Sequence, residues 1–328
     1  MGRMLHLRLI TPAEKTDAVV RLLETTVGTA HLVVLPGAAR SPAGDVVMCD
    51  VAREAGDDVI DALRALELDT CGAITAEDID LSLSEYADRA EREAPGEGAD
   101  AVVWEQLTEA THEESTLSVT YLAFITLATL IAACGVVLDN AILIVGAMAV
   151  GPEFGPLAGI CTAIVQRSPK LALRSAVALL AGFAVAMAVT AGFSLFMDAV
   201  GLFSEAKLEA DRPNTGFIYA PDWFSFVVAV LAGAAGTLSL TSAKSGALVG
   251  VAISVTTVPA AANAAVALIY GDTGQTWHST EQLLLNLLGI VLAGTLTLLT
   301  QKALWAAAKK RRPARRGNLR DRPHTTRA

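Results

Sequence analysis

One carboxylate in this chain stands where carboxylates are costly. Glu153 lies inside Gly151-Pro152-Glu153-Phe154-Gly155-Pro156, in the middle of Ala141 to Val165, a run apolar and long enough to cross a bilayer. A carboxyl group at that depth costs about 2.5 to 3.5 kcal/mol on insertion scales, so such groups face a bundle interior, a partner or a pathway. Two prolines and two glycines in six residues remove backbone donors and admit non-helical dihedrals. Irregular backbone at membrane depth is tolerated only where protein or a water-filled cavity satisfies it. The expected arrangement is two half-helices, one ending in free carbonyls and the next beginning with free amides and a positive partial charge. Such a break can bind an ion of either sign, with Glu153 as a titratable acceptor suited to proton coupling.

A second segment of the same kind follows about a hundred residues later. Ala147 to Pro156 (AMAVGPEFGP) aligns without gaps on Gly250 to Pro259 (GVAISVTTVP). Around Pro259, Ser254, Thr256, Thr257 and Asn263 offer neutral hydrogen-bonding groups. The candidate substrate- or ion-binding set is therefore Gly151, Pro152, Glu153, Gly155, Pro156, Ser254, Thr256, Thr257, Pro259 and Asn263. Each Ser and Thr also has a plainer role, bonding its own backbone or bridging helices.

The elements that position these residues follow from composition. The chain is 53% apolar, and its charges crowd into the two ends, the pattern of a multi-span membrane protein with polar appendages. Met1 to Thr116 carries 24 acidic against 9 basic residues, whereas Lys302 to Ala328 carries 10 basic residues against Asp321 alone. The acidic end argues against nucleic acid as a partner, and the basic run Lys309 to Arg316 suits anionic lipid.

Six spans are read: Leu117 to Leu138, Ala141 to Val165, Leu171 to Phe196, Phe224 to Leu240, Ala247 to Tyr270 and Leu283 to Trp305. Arg167, Lys170 and Arg174, then Lys244, then Lys309 to Arg316 fall on one side. Asp139, the mainly acidic Asp198 to Asp222 loop and Asp272 fall on the other. By the positive-inside rule both termini are cytoplasmic in a plasma (inner) membrane. Six spans divide as three plus three, with the broken second and fifth spans central to their halves. Because three is odd, related halves would form an inverted repeat, the arrangement of secondary transporters with a midplane site.

Ahead of the spans, residues 1–80 read as a strand (Met4 to Ile10), a helix opened by Pro12, strands His31 to Leu35 and Asp45 to Val51, a helix near Asp57 to Leu66 and a strand Cys71 to Ala76. That β-α-β-β-α-β order is ferredoxin-like. Residues 81–116 read as an acidic helical linker, 117–305 as the membrane domain and 306–328 as a basic cytosolic tail. Met1 to Ile10, interrupted by Arg3, His6 and Arg8, does not read as a signal peptide. Cys49, Cys71, Cys134 and Cys161 are too dispersed for a zinc or redox motif and are expected to be free thiols. The five histidines have no metal-ligand spacing, and no phosphate-binding glycine loop or nucleophile elbow is present. Neither a cofactor nor an enzymatic role is expected. Small residues such as Gly182 with Ala186, Gly233 with Gly236 and Gly289 with Ala293 permit close helix contact within the protomer or in a homo-oligomer.

The run LDNAILIVGAMAVGPEFGPLAGI, the later run GALVGVAISVTTVPAAANA and the acidic domain ahead of them resemble the bacterial membrane family catalogued as "domain of unknown function" 389. The resemblance covers nearly the whole chain except the basic tail and carries no activity with it. The family's first motif usually reads proline-leucine-methionine-glycine-proline, so Glu153 departs from that pattern and marks a subgroup. Three function classes follow from the residues: a secondary transporter with a ligand-sensing cytosolic domain, a channel using the same breaks, and a membrane receptor or scaffold.

Overall fold

A computed structural model describes residues 4–79, 81–94, 102–219, 223–241 and 257–311 of the 328. The chain divides into two compact units, with boundaries between Trp104 and Glu105 and between Gln301 and Lys302.

In the first unit, β1 (Met4–Thr11), α1 (Ala13–Thr25), β2 (Thr29–Arg40), β3 (Ala43–Ala52), α2 (Arg53–Ala65), the short α3 (Leu68–Cys71) and β4 (Ala73–Asp78) follow in order. The four strands form one antiparallel sheet in the order β2-β3-β1-β4. Leucine alternation in β1 sends Leu7 and Leu9 to one face, as a two-residue period requires. There they meet Val47, Cys49 and Val51 of β3, Val19 and Leu23 of α1, and Val59 and Leu63 of α2. On the other face Met4 is covered by Ala87 and Ala90 of α4 (Glu85–Glu93). The sequence predicts a loop after Leu35, whereas β2 runs on to Arg40. Register shifts between Ala30 and Val33 and between Leu35 and Ala39 let it continue through Pro36 and Gly37 beside β3. Helix α2 starts four residues earlier than predicted, and its first turn is held by an Arg53–Asp78 ion pair of 2.9 Å.

The second unit is helical. After α5 (Trp104–Glu114) come α6 (Val119–Val137), α7 (Ala141–Val150), α8 (Phe154–Gln166) and α9 (Pro169–Ala199). A loop carrying the short α10 (Glu205–Glu209) and a 3-10 turn at Gly216–Tyr219 leads to α11 (Trp223–Thr241). Last come α12 (Val258–Ile269) and α13 (Thr273–Arg311). Among the described residues, helices α6, α9, α11 and α13 are long and apolar enough to cross a membrane, and α7 with α8 makes an apolar pair bent by 54°, the geometry of a broken span or a re-entrant loop. Large apolar side chains lie outward along them: Ile142 is 82% exposed, Leu173 68% and Leu296 66%. An exterior of this kind places these helices in lipid, so the chain is a membrane-embedded protein. At about 1.5 Å per residue the 31 residues of α9 reach well beyond a hydrocarbon core of about 30 Å. The predicted fifth span is described only from Thr257, as the short apolar helix α12; residues 242–256, with Ser254 and Thr256, lie outside the described residues.

The small residues work inside the protomer. A Cβ on Gly182 would stand 2.7 Å from a ring carbon of Tyr121, and one on Gly233 would stand 2.6 Å from the carbonyl oxygen of Ile290. Gly289 faces Ala229. Gly182 thus makes room for the Tyr121 ring between α9 and α6, while α11 and α13 approach at near-backbone distance, as helices do where lipid gives no hydrophobic drive to association.

Candidate functional site

The helix break is narrower than the motif suggests. Helix α7 begins on an Asn140 cap, whose Oδ1 accepts from the amides of Ile142 and Leu143 at 2.9 and 3.2 Å. It ends at Val150 because Pro152 has no N–H and pushes the residue before it out of the helical region. Gly151 accordingly has φ −66° and ψ 127°. Gly155 and Pro156 are not part of the break: they are the second and third residues of α8. Proline is tolerated there because the first four amides of a helix have no intrahelical acceptor to lose. The same logic places Pro259 second in α12, which starts right after Thr257.

Glu153 and Thr257 are the capping-position residues of α8 and α12 respectively. Both are fully buried, and Thr257 Oγ1 donates to Glu153 Oε1 at 2.8 Å. The break after α7 and the amino end of α12, 104 residues apart in the chain, thus meet through their polar side chains. Two half-helices of 13 and 12 residues bring their amino ends, each with a positive partial charge, to one carboxyl group. Gly151 makes room for it: a Cβ there would collide with Glu153 Oε2 and stand 3.1 Å from Val258 Cγ2. Gly155 is pinned from the other side, where a Cβ would come within 2.5 Å of Glu114 Cβ. Burial, with a smaller contribution from Glu113, raises the pKa of Glu114 above the usual carboxylate value. Tyr121 of α6 is buried against Gly182, and its hydroxyl has no hydrogen-bond partner among the described residues.

Asn263 is placed elsewhere. It lies six residues beyond Thr257, about 9 Å up α12, where its Nδ2 donates to Ser279 Oγ at 2.7 Å and its Oδ1 accepts from Arg212 Nη1 at 3.0 Å. Arg212 comes from the loop between α9 and α11. Its Nη2 donates to Gln275 Oε1 at 2.7 Å, and its guanidinium carbon lies 4.5 Å from the centre of the Tyr219 ring. Only 3% of Arg212 is exposed, and no carboxylate lies within 4.0 Å of it among the described residues. Burial depresses the guanidinium pKa, while Tyr219, Asp139 and Asp272 act in the opposite sense. Beside it, Asp139 accepts from the amide of Asn214 at 3.1 Å, from Asn214 Nδ2 at 2.9 Å and from Thr215 Oγ1 at 2.9 Å. Partial burial opposes ionisation of Asp139, but these donors outweigh it and hold the carboxyl below its ordinary 3.8.

Sequence reasoning did not find Arg212, Tyr219, Gln275 or Ser279. The available signal was a basic residue inside a mainly acidic loop, which hydropathy treats as solvated. Of the predicted set, Gly151, Pro152, Glu153, Gly155, Pro156, Thr257 and Pro259 lie at the adjoining amino ends of α8 and α12. Ser254 and Thr256 lie outside the described residues. All four cysteines are free, as their spacing led one to expect.

Residues 148–292 match the model of the family described as Domain of unknown function (DUF389), a stretch that holds the break after α7, the amino end of α12 and Arg212 with Tyr219, Asn263, Gln275 and Ser279. The family resemblance of the sequence is thereby shown over that stretch. The chain is also similar to "Uncharacterized protein MJ0678" of Methanocaldococcus jannaschii, with 26% identity over 205 residues, 62% of this chain. It spans 61% of the length of that relative. No solved structure matches the chain.

Proposed function

We propose that this membrane protein is a secondary transporter of a small solute or ion, with Glu153 at a site formed where the break after α7 meets the amino end of α12. The observation that carries this reading is the Thr257–Glu153 hydrogen bond, which joins the ends of two half-helices within one buried point. Discontinuous helices with amino ends turned toward a site are the construction by which transporters hold charged substrates without an all-protein cage. Glu153 has no solvent exposure, which fits an occluded stage of alternating access better than an open pore. In this reading the loop joining α9 and α11 is external, both termini are cytoplasmic in a plasma membrane, the acidic sheet domain senses a cytosolic ligand, and copies of the chain associate.

The test is flux. Purified protein is reconstituted in proteoliposomes loaded with a pH-sensitive dye, and small ions and solutes are added against a pH gradient. Saturable, gradient-driven proton movement that disappears in Glu153→Gln is expected. Unsaturated single-channel currents across planar bilayers would replace the transporter by a channel. No flux in either preparation, with ligand binding confined to the sheet domain, would replace both by a receptor.

A further inference from the structure

The transporter reading leaves one buried charge unused. Arg212 is nearly as inaccessible as Glu153, yet every partner it touches among the described residues is neutral: the amide oxygens of Asn263 and Gln275 and the ring of Tyr219. Its Nε–H is buried and has no acceptor among the described residues. Asp139 and Asp272 act on it only through space. Asp139 is moreover committed to Asn214 and Thr215, and Asp272 to the amide of Gln275 at 2.9 Å. Removing a cation from water without giving it an anion is costly, and folds rarely accept it for packing alone. A guanidinium whose Nη groups rest on releasable amides and whose Nε edge is unused is prepared for a planar, two-oxygen acceptor, which that edge grips bidentately. The sign agrees with an independent feature. About 9 Å along α12 the positive amino ends of two helices converge on the Glu153–Thr257 contact, and both features disfavour a cation there.

We propose that the transported species is a small oxyanion, a carboxylate or an inorganic oxyanion, and that Arg212 is its binding residue on the path to Glu153. This rests on the transporter reading. On arrival, the anion's oxygens take the Nε–H and one Nη–H of Arg212, and the amide oxygen of Gln275 or Asn263 is released. A solute carrying its own negative charge can then pass Glu153 only when that carboxyl is neutral, which ties anion movement to a proton.

The experiment uses the full-length protein in detergent micelles. Its melting temperature is followed while sodium acetate or sodium phosphate replaces sodium chloride at constant ionic strength. Saturable stabilisation by acetate or phosphate over chloride is expected, and whichever of the two acts identifies the oxyanion. Arg212→Lys keeps the charge but loses the fork and should weaken the apparent affinity at least tenfold. Asn263→Asp is the second arm, which leaves Arg212 itself in place. It gives the guanidinium a carboxylate of its own, so it should melt no lower than wild type and yet lose the anion response. The proposal is overturned if neither anion stabilises, or if Asn263→Asp responds with unchanged affinity. Proteoliposome flux separates the two readings. Arg212-dependent binding without flux ends the transporter and leaves the anion site. Saturable, Glu153-dependent cation flux that Asn263→Asp leaves intact keeps the transporter and ends the anion proposal.

Discussion

Replacing Thr257 by Val removes one hydroxyl and almost no volume, so its cost reads the state of the carboxyl group it touches. Both partners are fully buried and the bond is 2.8 Å long. A hydrogen bond to a charged group contributes about 1.5 to 3 kcal/mol, one between neutral groups about 0.5 to 1.5 kcal/mol. If Glu153 is ionised in the sealed state, Thr257→Val should cost about 2 kcal/mol in the wild-type chain and about 1 kcal/mol where Glu153→Gln has already removed the charge. The cycle of wild type, both single variants and the double variant then gives a coupling of about 1 kcal/mol, measured from denaturant unfolding in mixed micelles. Independent sites add within about 0.3 to 0.5 kcal/mol. Coupling inside that band together with a Thr257→Val cost near zero in both backgrounds would mean that the break after α7 and the amino end of α12 do not meet through these side chains. A Thr257→Val cost of about 1 kcal/mol in both backgrounds would instead mean that the carboxyl is neutral there.

Three further outcomes follow from local geometry. Gly233→Ala drives a methyl into the Ile290 backbone, 2.6 Å from its oxygen, and backbone cannot rotate aside. It should cost about 1 to 3 kcal/mol, whereas Gly146→Ala, which meets nothing within 4 Å, should be neutral or gain up to about 1 kcal/mol from helix propensity; comparative unfolding of the two variants decides. Ser84 caps α4, accepting from the amides of Tyr86 and Ala87, and is joined to His31 Nε2 at 2.7 Å. Ser84→Ala should destabilise α4 by about 1 kcal/mol, seen as faster amide exchange in Glu85–Glu93 with the β1 and β3 amides unchanged. Because the folded pKa of Asp139 lies below 3.8, its contribution to stability is present above that value and is lost as pH falls through the lower folded value. The melting-temperature gap between wild type and Asp139→Asn should therefore hold constant from neutral pH to about pH 5 and close only in strong acid. A gap that grows on acidification contradicts the assigned hydrogen bonds.

The sheet domain was legible because its signals are local. Leucines alternating along β1 and the apolar stripes of α1 and α2 name their own faces. The exceptions were the far half of β2 and the start of α2, where pairing to β3 and the Arg53–Asp78 ion pair override the turn and helix signals. Long apolar runs gave α6, α9, α11 and α13 for the same reason, and Pro152 gave the end of α7 through backbone chemistry alone. Sequence could not say that Gly155 and Pro156 are helical, because proline in a first turn and proline in a break read alike until the cap is seen. The amino-acid sequence by itself determined that a carboxylate stands at a helix break inside an apolar span and that a second proline-bearing segment follows it. Only the tertiary structure decided that Thr257 reaches Glu153 and that Arg212 reaches out of its acidic loop to Asn263 and Gln275. Those pairings span 104, 51 and 63 residues, and the partner of a buried polar group at such separations is chosen by how helices pack, which no short-range periodicity encodes.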